Sequence, residues 1–308
     1  MLQPIPIHLT YPRETRQILL KSTLSKPLKP VARLGKKLAA LLPIPSHWWL
    51  KLDLLKILVQ RDLEARYKGS ALGNTWVILN QLVQLLVYTY LFSVVLKVKL
   101  NLEGMPANNF TFGLWLFAGL IPWTAFVAGF SQASSSVIAQ PNLVKKVVFP
   151  LVLLPLVPVC AAFVDSTLGL LLLLTFVGFT SNVIQPTALL LPLIWIPQIL
   201  FTAGLGYLVA GLSVFLRDIP QTIGIILNLW FYVTPIVYPT TAVPEALKFW
   251  VLWMNPLTII VEIYRDLTLL GEVRHLTEWG GFWLIAIAVF LIGLFVYRRL
   301  RPAFADVL

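Results

Sequence analysis

Apolar positions along the chain fall into long runs separated by short polar punctuation, a pattern that predicts helices crossing a membrane. No charged residue occurs between Lys68 and Lys97, and residues 76–96 suffice for one crossing. A hydrocarbon core about 30 Å thick takes roughly 20 helical residues. Further spans are expected over 111–131, kinked near Pro122, then 151–178, within 186–216, and over 221–238 and 279–297. Ser181, Asn182, Gln185 and Pro186 supply a turn between the third and fourth. Ahead of the first span, Trp48, Leu52, Leu55, Val59 and Leu63 share a helical stripe opposite Asp53, Lys56, Gln60 and Glu64. Such a stripe suits a helix lying in the membrane interface, with a solvated helix packed on a partner as the alternative.

Residues 239–278 break the pattern. Two apolar pieces, 243–254 and 257–270, flank Asn255-Pro256, and each is too short to span. Each also carries charge (Glu245 and Lys248; Glu262, Arg265 and Asp266). They are expected to be two short helices dipping back into the membrane beside a polar path, since irregular backbone survives there only when buried or lining a cavity.

Charge then orients the chain. With the N-terminus inside, 19 of the 24 Lys and Arg lie on the cytoplasmic side, and only Lys97, Lys99, Lys248, Arg265 and Arg274 lie outside. Both ends are therefore expected in the cytoplasm. The same bias explains a net charge of +11 without nucleic acid. The composition agrees: 58% of residues are hydrophobic and 12% charged, against about a quarter charged in soluble domains. Residues 1–45 read as a basic, proline-punctuated cytoplasmic arm with a short helix near 34–42, and lack the apolar stretch of a signal peptide; the transmembrane domain is expected over 46–308. Cys160 stands alone, and His8, His47 and His275 show no ligand spacing, so no metal site is expected.

Catalytic signatures do not emerge. Gly69-Ser70-Ala71-Leu72-Gly73-Asn74-Thr75 lacks the lysine and glycine spacing of a phosphate-binding loop, and neither a zinc-protease nor a serine-hydrolase motif occurs. Asp165 is the one acid near the middle of a span, where insertion costs about 2.5–3.5 kcal/mol. It either lines a conduit or is a hydrogen-bonded packing residue; no second ionisable group is visible at that depth to form a proton relay. Between Pro141 and Pro150, the mixture of Leu143, Val147 and Phe149 with Lys145 and Lys146 suits a short amphipathic helix docking on a cytoplasmic partner; a basic membrane-edge anchor is the alternative. Arg217-Asp218 reads as a local ion pair, and the sequon Asn109-Phe110-Thr111 as a chance triplet. Trp230, Phe231, Tyr232 and Tyr238 suit belt or packing roles, although a sugar conduit would also use aromatic faces.

Several stretches, in this order and spacing, resemble the permease subunit of ABC-2 type exporters for polysaccharides, the O-antigen, capsule and teichoic acid systems. They are Arg61-Asp62-Leu63-Glu64-Ala65-Arg66-Tyr67-Lys68-Gly69 running on to Trp76, Asn142-Leu143-Val144-Lys145-Lys146-Val147-Val148-Phe149-Pro150, and Phe215-Leu216-Arg217-Asp218-Ile219. Thr234-Pro235-Ile236-Val237-Tyr238-Pro239, Asn255-Pro256-Leu257 and Tyr264-Arg265-Asp266 complete the set. The resemblance covers about residues 48–301. It implies an all-α polytopic membrane protein with six spans, an interfacial helix, a cytoplasmic coupling helix after the second span and two gate helices before the sixth.

By the same resemblance, Asn142, Leu143, Val144, Lys145, Lys146, Val147 and Phe149 would contact a separate ABC ATPase subunit, which alone holds ATP and Mg. Two permease copies in the bacterial inner membrane would thread a lipid-linked polysaccharide outward. Arg61, Arg66 and Lys68 are candidates for the carrier's diphosphate, and Tyr232, Tyr238, Trp250 and Asp165 for the gate or conduit. An ABC-2 exporter of drugs or other lipids is the nearest alternative. A membrane-embedded glycosyltransferase-like enzyme would need paired acids that are scattered here, and a structural assembly subunit would leave the 239–278 irregularity unexplained.

Overall fold

The computed structural model describes residues 46–70, 72–73, 75–98, 109–146 and 149–308, and the chain divides into two units, Met1–Leu54 and Leu55–Leu308. Of the first unit only the opening turns of α1 (Ser46–Tyr67) are described; the arm over 1–45 and the Trp48 and Trp49 side chains lie outside the described residues.

The second unit is helical throughout, with no strand among the described residues. In order come α2 (Thr75–Tyr88), which widens into a looser helical turn over Thr89–Val95, α3 (Asn109–Ser135), α4 (Pro141–Lys146) and α5 (Leu153–Ser181). A tight turn, Pro186–Leu190, leads into α6 (Leu191–Ser213), followed by α7 (Ile219–Val233). The short α8 (Glu245–Lys248) runs on over Phe249–Trp253, and α9 (Pro256–Arg265) over Asp266–Leu270. Last come α10 (Leu276–Leu300) and α11 (Phe304–Val307).

Helix is the state these runs must adopt in lipid, because it pairs each peptide N–H and C=O within its own segment. Five stretches are long and apolar enough to cross: Thr75–Val95, Phe110–Ser135, Leu153–Ser181, Pro186–Ser213 and Leu276–Val307. The α8–α9 pair, bent by 85°, makes a sixth if it is one broken span. The expected fifth span over 221–238 is cut short. With 15 residues, α7 is about 22 Å long, less than a full crossing. It stops because Pro235 has no N–H to continue the ladder and pushes Thr234 into an extended conformation.

The centre of the unit is α3, whose apolar window is 83% buried, against 22% for Thr75–Val95 and 17% for Leu276–Val307, which lie at the periphery. In α1, Leu55, Leu58, Val59, Leu63 and Arg66 are wholly or partly buried, whereas Leu50, Leu52 and Ile57 are exposed, so of the expected stripe Leu55, Val59 and Leu63 face inward and Leu52 does not.

Helices α6 and α10 cross with their backbones in contact. A methyl group on Gly293 would fall 1.9 Å from the Gly204 carbonyl oxygen, and one on Gly204 would fall 2.6 Å from the Phe290 backbone. Small residues at the crossing let two apolar helices associate in lipid, where there is no hydrophobic drive between them. Gly293→Leu is expected to force the pair apart and cost about 3 kcal/mol or more, read as a lowered thermal unfolding midpoint of the detergent-purified protein; an unchanged midpoint would contradict this crossing.

Candidate functional site

The break after α7 strands backbone carbonyls inside the protein, and Arg265 reaches them. Its guanidinium donates to the carbonyls of Pro235 (2.9 Å) and Ile236 (2.7 Å), to that of Trp115 at 3.3 Å, and to Glu262 Oε1 (2.7 Å). It also stacks on the Trp115 ring, 3.5 Å from the centroid. A methyl group on Gly119 would lie 2.8 Å from the guanidinium, so the glycine leaves it room. Arg265 is 2% exposed, so the charge counted with the outside segments is buried within the protein. Only a planar fork with five donors serves so many acceptors at once.

The same region is closed by Asn255, which accepts from the Leu257 N–H (3.2 Å) and from Trp230 Nε1 (3.0 Å) and donates to Thr234 Oγ1 (2.9 Å). Tyr238, a gate candidate, donates its hydroxyl to the final carbonyls of α7, Tyr232 (2.9 Å) and Val233 (3.2 Å). Trp195 bonds to the Tyr264 hydroxyl, and Gln198 Nε2 to the Pro122 carbonyl at 2.8 Å. The stretches 234–239, 255–257 and 264–266 thus form one buried lock between α7 and the bent α8–α9 pair. At its edge, His275 Nδ1 meets Asp266 Oδ2 at 2.6 Å.

On another face, α2 carries Asn80, Gln84 and Tyr88 one turn apart, with Gln81 beside them. A cleft of about 160 Å³ runs past Asn80 and Gln81 to Thr124, Asp165 and the buried Ser166 hydroxyl, which has no hydrogen-bond partner among the described residues. A second, of about 390 Å³, continues from Thr124 past Gln84 and Tyr88 to Asn228 and Tyr232 of α7. Together they make a polar face along otherwise apolar helices. Tyr232 is exposed there, while Trp250, also exposed, stands edge-on to Phe249 outside both clefts.

Asp165 is paired. Arg66 Nη1 donates to its carboxylate at 2.9 Å, and the same guanidinium holds Asp62 (2.7 Å) and Gln132 (2.8 Å). The second ionisable group that seemed missing along the sequence therefore comes from α1, and Arg66 is engaged by two carboxylates rather than open as a lone cation. Arg61 and Lys68 are exposed, and Arg61 lines a cleft of about 450 Å³ with Leu58, Asp62, Leu143 and Pro158. In α4, Asn142 and Lys145 are exposed while Leu143, Val144 and the following Phe149 are half-buried against their own bundle. Val147 and the Lys146 side chain lie outside the described residues.

Comparison with known proteins fits this geometry. Residues 53–269 match the ABC-2 type transporter family, and the chain belongs to that family. It is similar to O-antigen export system permease proteins (RfbA): one from Klebsiella pneumoniae is 30% identical over 83% of this chain and 95% of its own length, and one from Myxococcus xanthus 34% identical over 69% and 78%.

Two outcomes follow from the lock. Arg265→Gln leaves carbonyls and Glu262 uncompensated and is expected to cost about 3–5 kcal/mol, with Arg265→Lys only partly restoring the thermal midpoint; a lysine variant as stable as the parent would remove the fork from the account. The hydrogen bond that the His275 ring donates to the Asp266 carboxylate holds the His275 pKa above its ordinary value, against partial burial and helped by the Asp266, Glu262 and Glu278 charges. A raised folded pKa means the pairing stabilises fully below the unfolded value of about 6.5 and fades as pH rises through the folded one. The midpoint difference between parent and His275→Asn should be largest near about pH 5.5 and shrink above neutrality; a difference that grows with pH would reverse that sign.

Proposed function

We propose that this chain is the membrane permease of an ATP-driven exporter that moves a lipid-linked, O-antigen-type polysaccharide outward, with a second permease copy and a separate ABC ATPase supplying the energy. The observation that carries the reading is the near end-to-end similarity to an O-antigen export permease, 95% of whose length is covered. The polar face supports it: amides, hydroxyls and two tyrosines along α2, α3 and α7 suit a hydroxyl-rich chain better than a hydrocarbon drug, which favours glycan over the drug-export alternative. In this reading the chain sits in a bacterial inner membrane with both ends in the cytoplasm, the orientation the charge bias favours, and ATP and Mg reside on the partner.

Asn142, Leu143, Val144, Lys145, Lys146, Val147 and Phe149 then contact the ATPase. Leu143, Val144 and Phe149 already pack inward, so of the described residues in this set Asn142 and Lys145 are the ones exposed to the partner, and its closure pushes on a segment seated in the bundle. The carrier's diphosphate meets Arg61 and Lys68 first, with Arg66 released only when the phosphate competes with Asp62 and Asp165 for it. Tyr232 and Asp165 line the route, and Tyr238 and Trp250 belong to the external gate region.

A phosphate contact near the membrane surface is worth about 1 kcal/mol, roughly fivefold in affinity. Arg61→Ala is therefore expected to lower surface glycan about fivefold at unchanged permease level. Arg66→Ala should do more, by stranding two carboxylates, and Asp165→Asn should partly rescue it. Normal surface display in a strain whose only permease carries Arg61→Ala and Lys68→Ala would end the diphosphate assignment, and normal display with the permease deleted would end the export reading.

A further inference from the structure

We propose that Tyr207 and Tyr297 are positioning residues for energy coupling: their hydroxyls tie the loop that carries α4 to α6 and α10, so that a push on α4 reaches those helices. The inference rests on the reading of α4 as the ATPase contact. It starts from Pro155, which has no N–H, so the carbonyl of Leu151 four residues earlier loses its α-helical donor. That carbonyl takes instead the Leu154 N–H (3.1 Å) and the hydroxyl of Tyr297 (2.8 Å). The next carbonyl, of Val152, takes the hydroxyl of Tyr207 at 2.9 Å. Two consecutive peptide units at the start of α5 are thus held by side chains from two other helices.

These tyrosines are buried, at 2% exposure for Tyr207 and 0% for Tyr297, with ring centroids 5.4 Å apart. They stand on helices already fixed to each other by the Gly204–Gly293 crossing. The far end of the loop is held as well. Helix α4 packs on α11, whose fully buried Phe304 meets the Tyr297 ring edge-on at 5.4 Å. Tyr297 therefore meets one end directly, through its hydroxyl at Leu151, and the other through α11, on which α4 packs. Filling this space would take only a phenyl ring. The hydroxyls add a desolvation cost that is offset only because each finds its carbonyl.

Removing both hydroxyls leaves the rings, and hence the packing, in place. The test compares the parent exporter with a Tyr207→Phe/Tyr297→Phe exporter, each assembled with its ATPase in liposomes and supplied with lipid-linked glycan from the producing strain. The parent must first assemble and export; if it does not, the reading of α4 and of the function fails before any variant is made. With a working parent, the double variant is expected to assemble and to hydrolyse ATP within about twofold of it, while glycan exported per ATP falls about tenfold. A merely structural role would lower assembly, hydrolysis and export together and leave their ratio unchanged, and that result overturns the proposal. Should the double variant fail to assemble, the two single Phe variants carry the same readout, and an unchanged ratio in both overturns it equally.

Discussion

The guanidinium of Arg265 joins the carbonyls of Trp115, Pro235 and Ile236, and through them it connects α3, the broken end of α7 and the bent α8–α9 pair. In water a broken helix end finds solvent. Within a bilayer each stranded peptide group costs several kcal/mol unless protein replaces the solvent. The break at Thr234-Pro235 and the bend at Asn255-Pro256 exist because fixed partners wait for them: Arg265 and Tyr238 each donate to two carbonyls at the end of α7 and just beyond it, and the Asn255 side chain accepts the Leu257 N–H at the start of its own helix. A short α7 and a dipped helix pair become possible only under that constraint.

The consequence is a division of mechanical character. Around the bend nearly every polar group is matched and buried, which favours a single arrangement. The face between α2, α3 and α7 is different. Its amides, Asn80, Gln81, Gln84 and Asn228, are open or half-open and border two clefts that share Thr124. At the α1 end of that face Asp62 and Asp165 share the Arg66 guanidinium, so the cation there is held in ion pairs rather than presented to a passing chain. Leu143, Val144 and Phe149 pack against the bundle, so in the proposed coupling a push on α4 is transmitted rather than absorbed.

Much of the fold was legible in the sequence because lipid leaves few options: uncharged runs of sufficient length become helices, and the 239–278 irregularity declares itself by length and charge. What escaped lay in long-range pairing. Arg66 and Asp165 stand 99 residues apart, and nothing local in either joins them. That Arg265 is buried against three carbonyls had no signature in a charge tally, which registers only its sign. The end of α7 was placed at Tyr238 because the apolar run continues past Pro235; the proline marked the stop. The polar face had a readable signal, Asn80, Gln84 and Tyr88 at four-residue spacing within an uncharged span, which the charge-based reading passed over.

In the export reading this face, and not the neighbouring surface of the same helices, meets an aqueous route. Single cysteines at Asn80, Gln84 and Asn228, with Leu79, Ile225 and Leu229 as controls and Cys160 replaced by alanine, test it in the assembled exporter with a membrane-impermeant maleimide. Labelling at the first three and protection at the controls is the pattern expected. Equal labelling of both sets, or labelling confined to the controls, would contradict it.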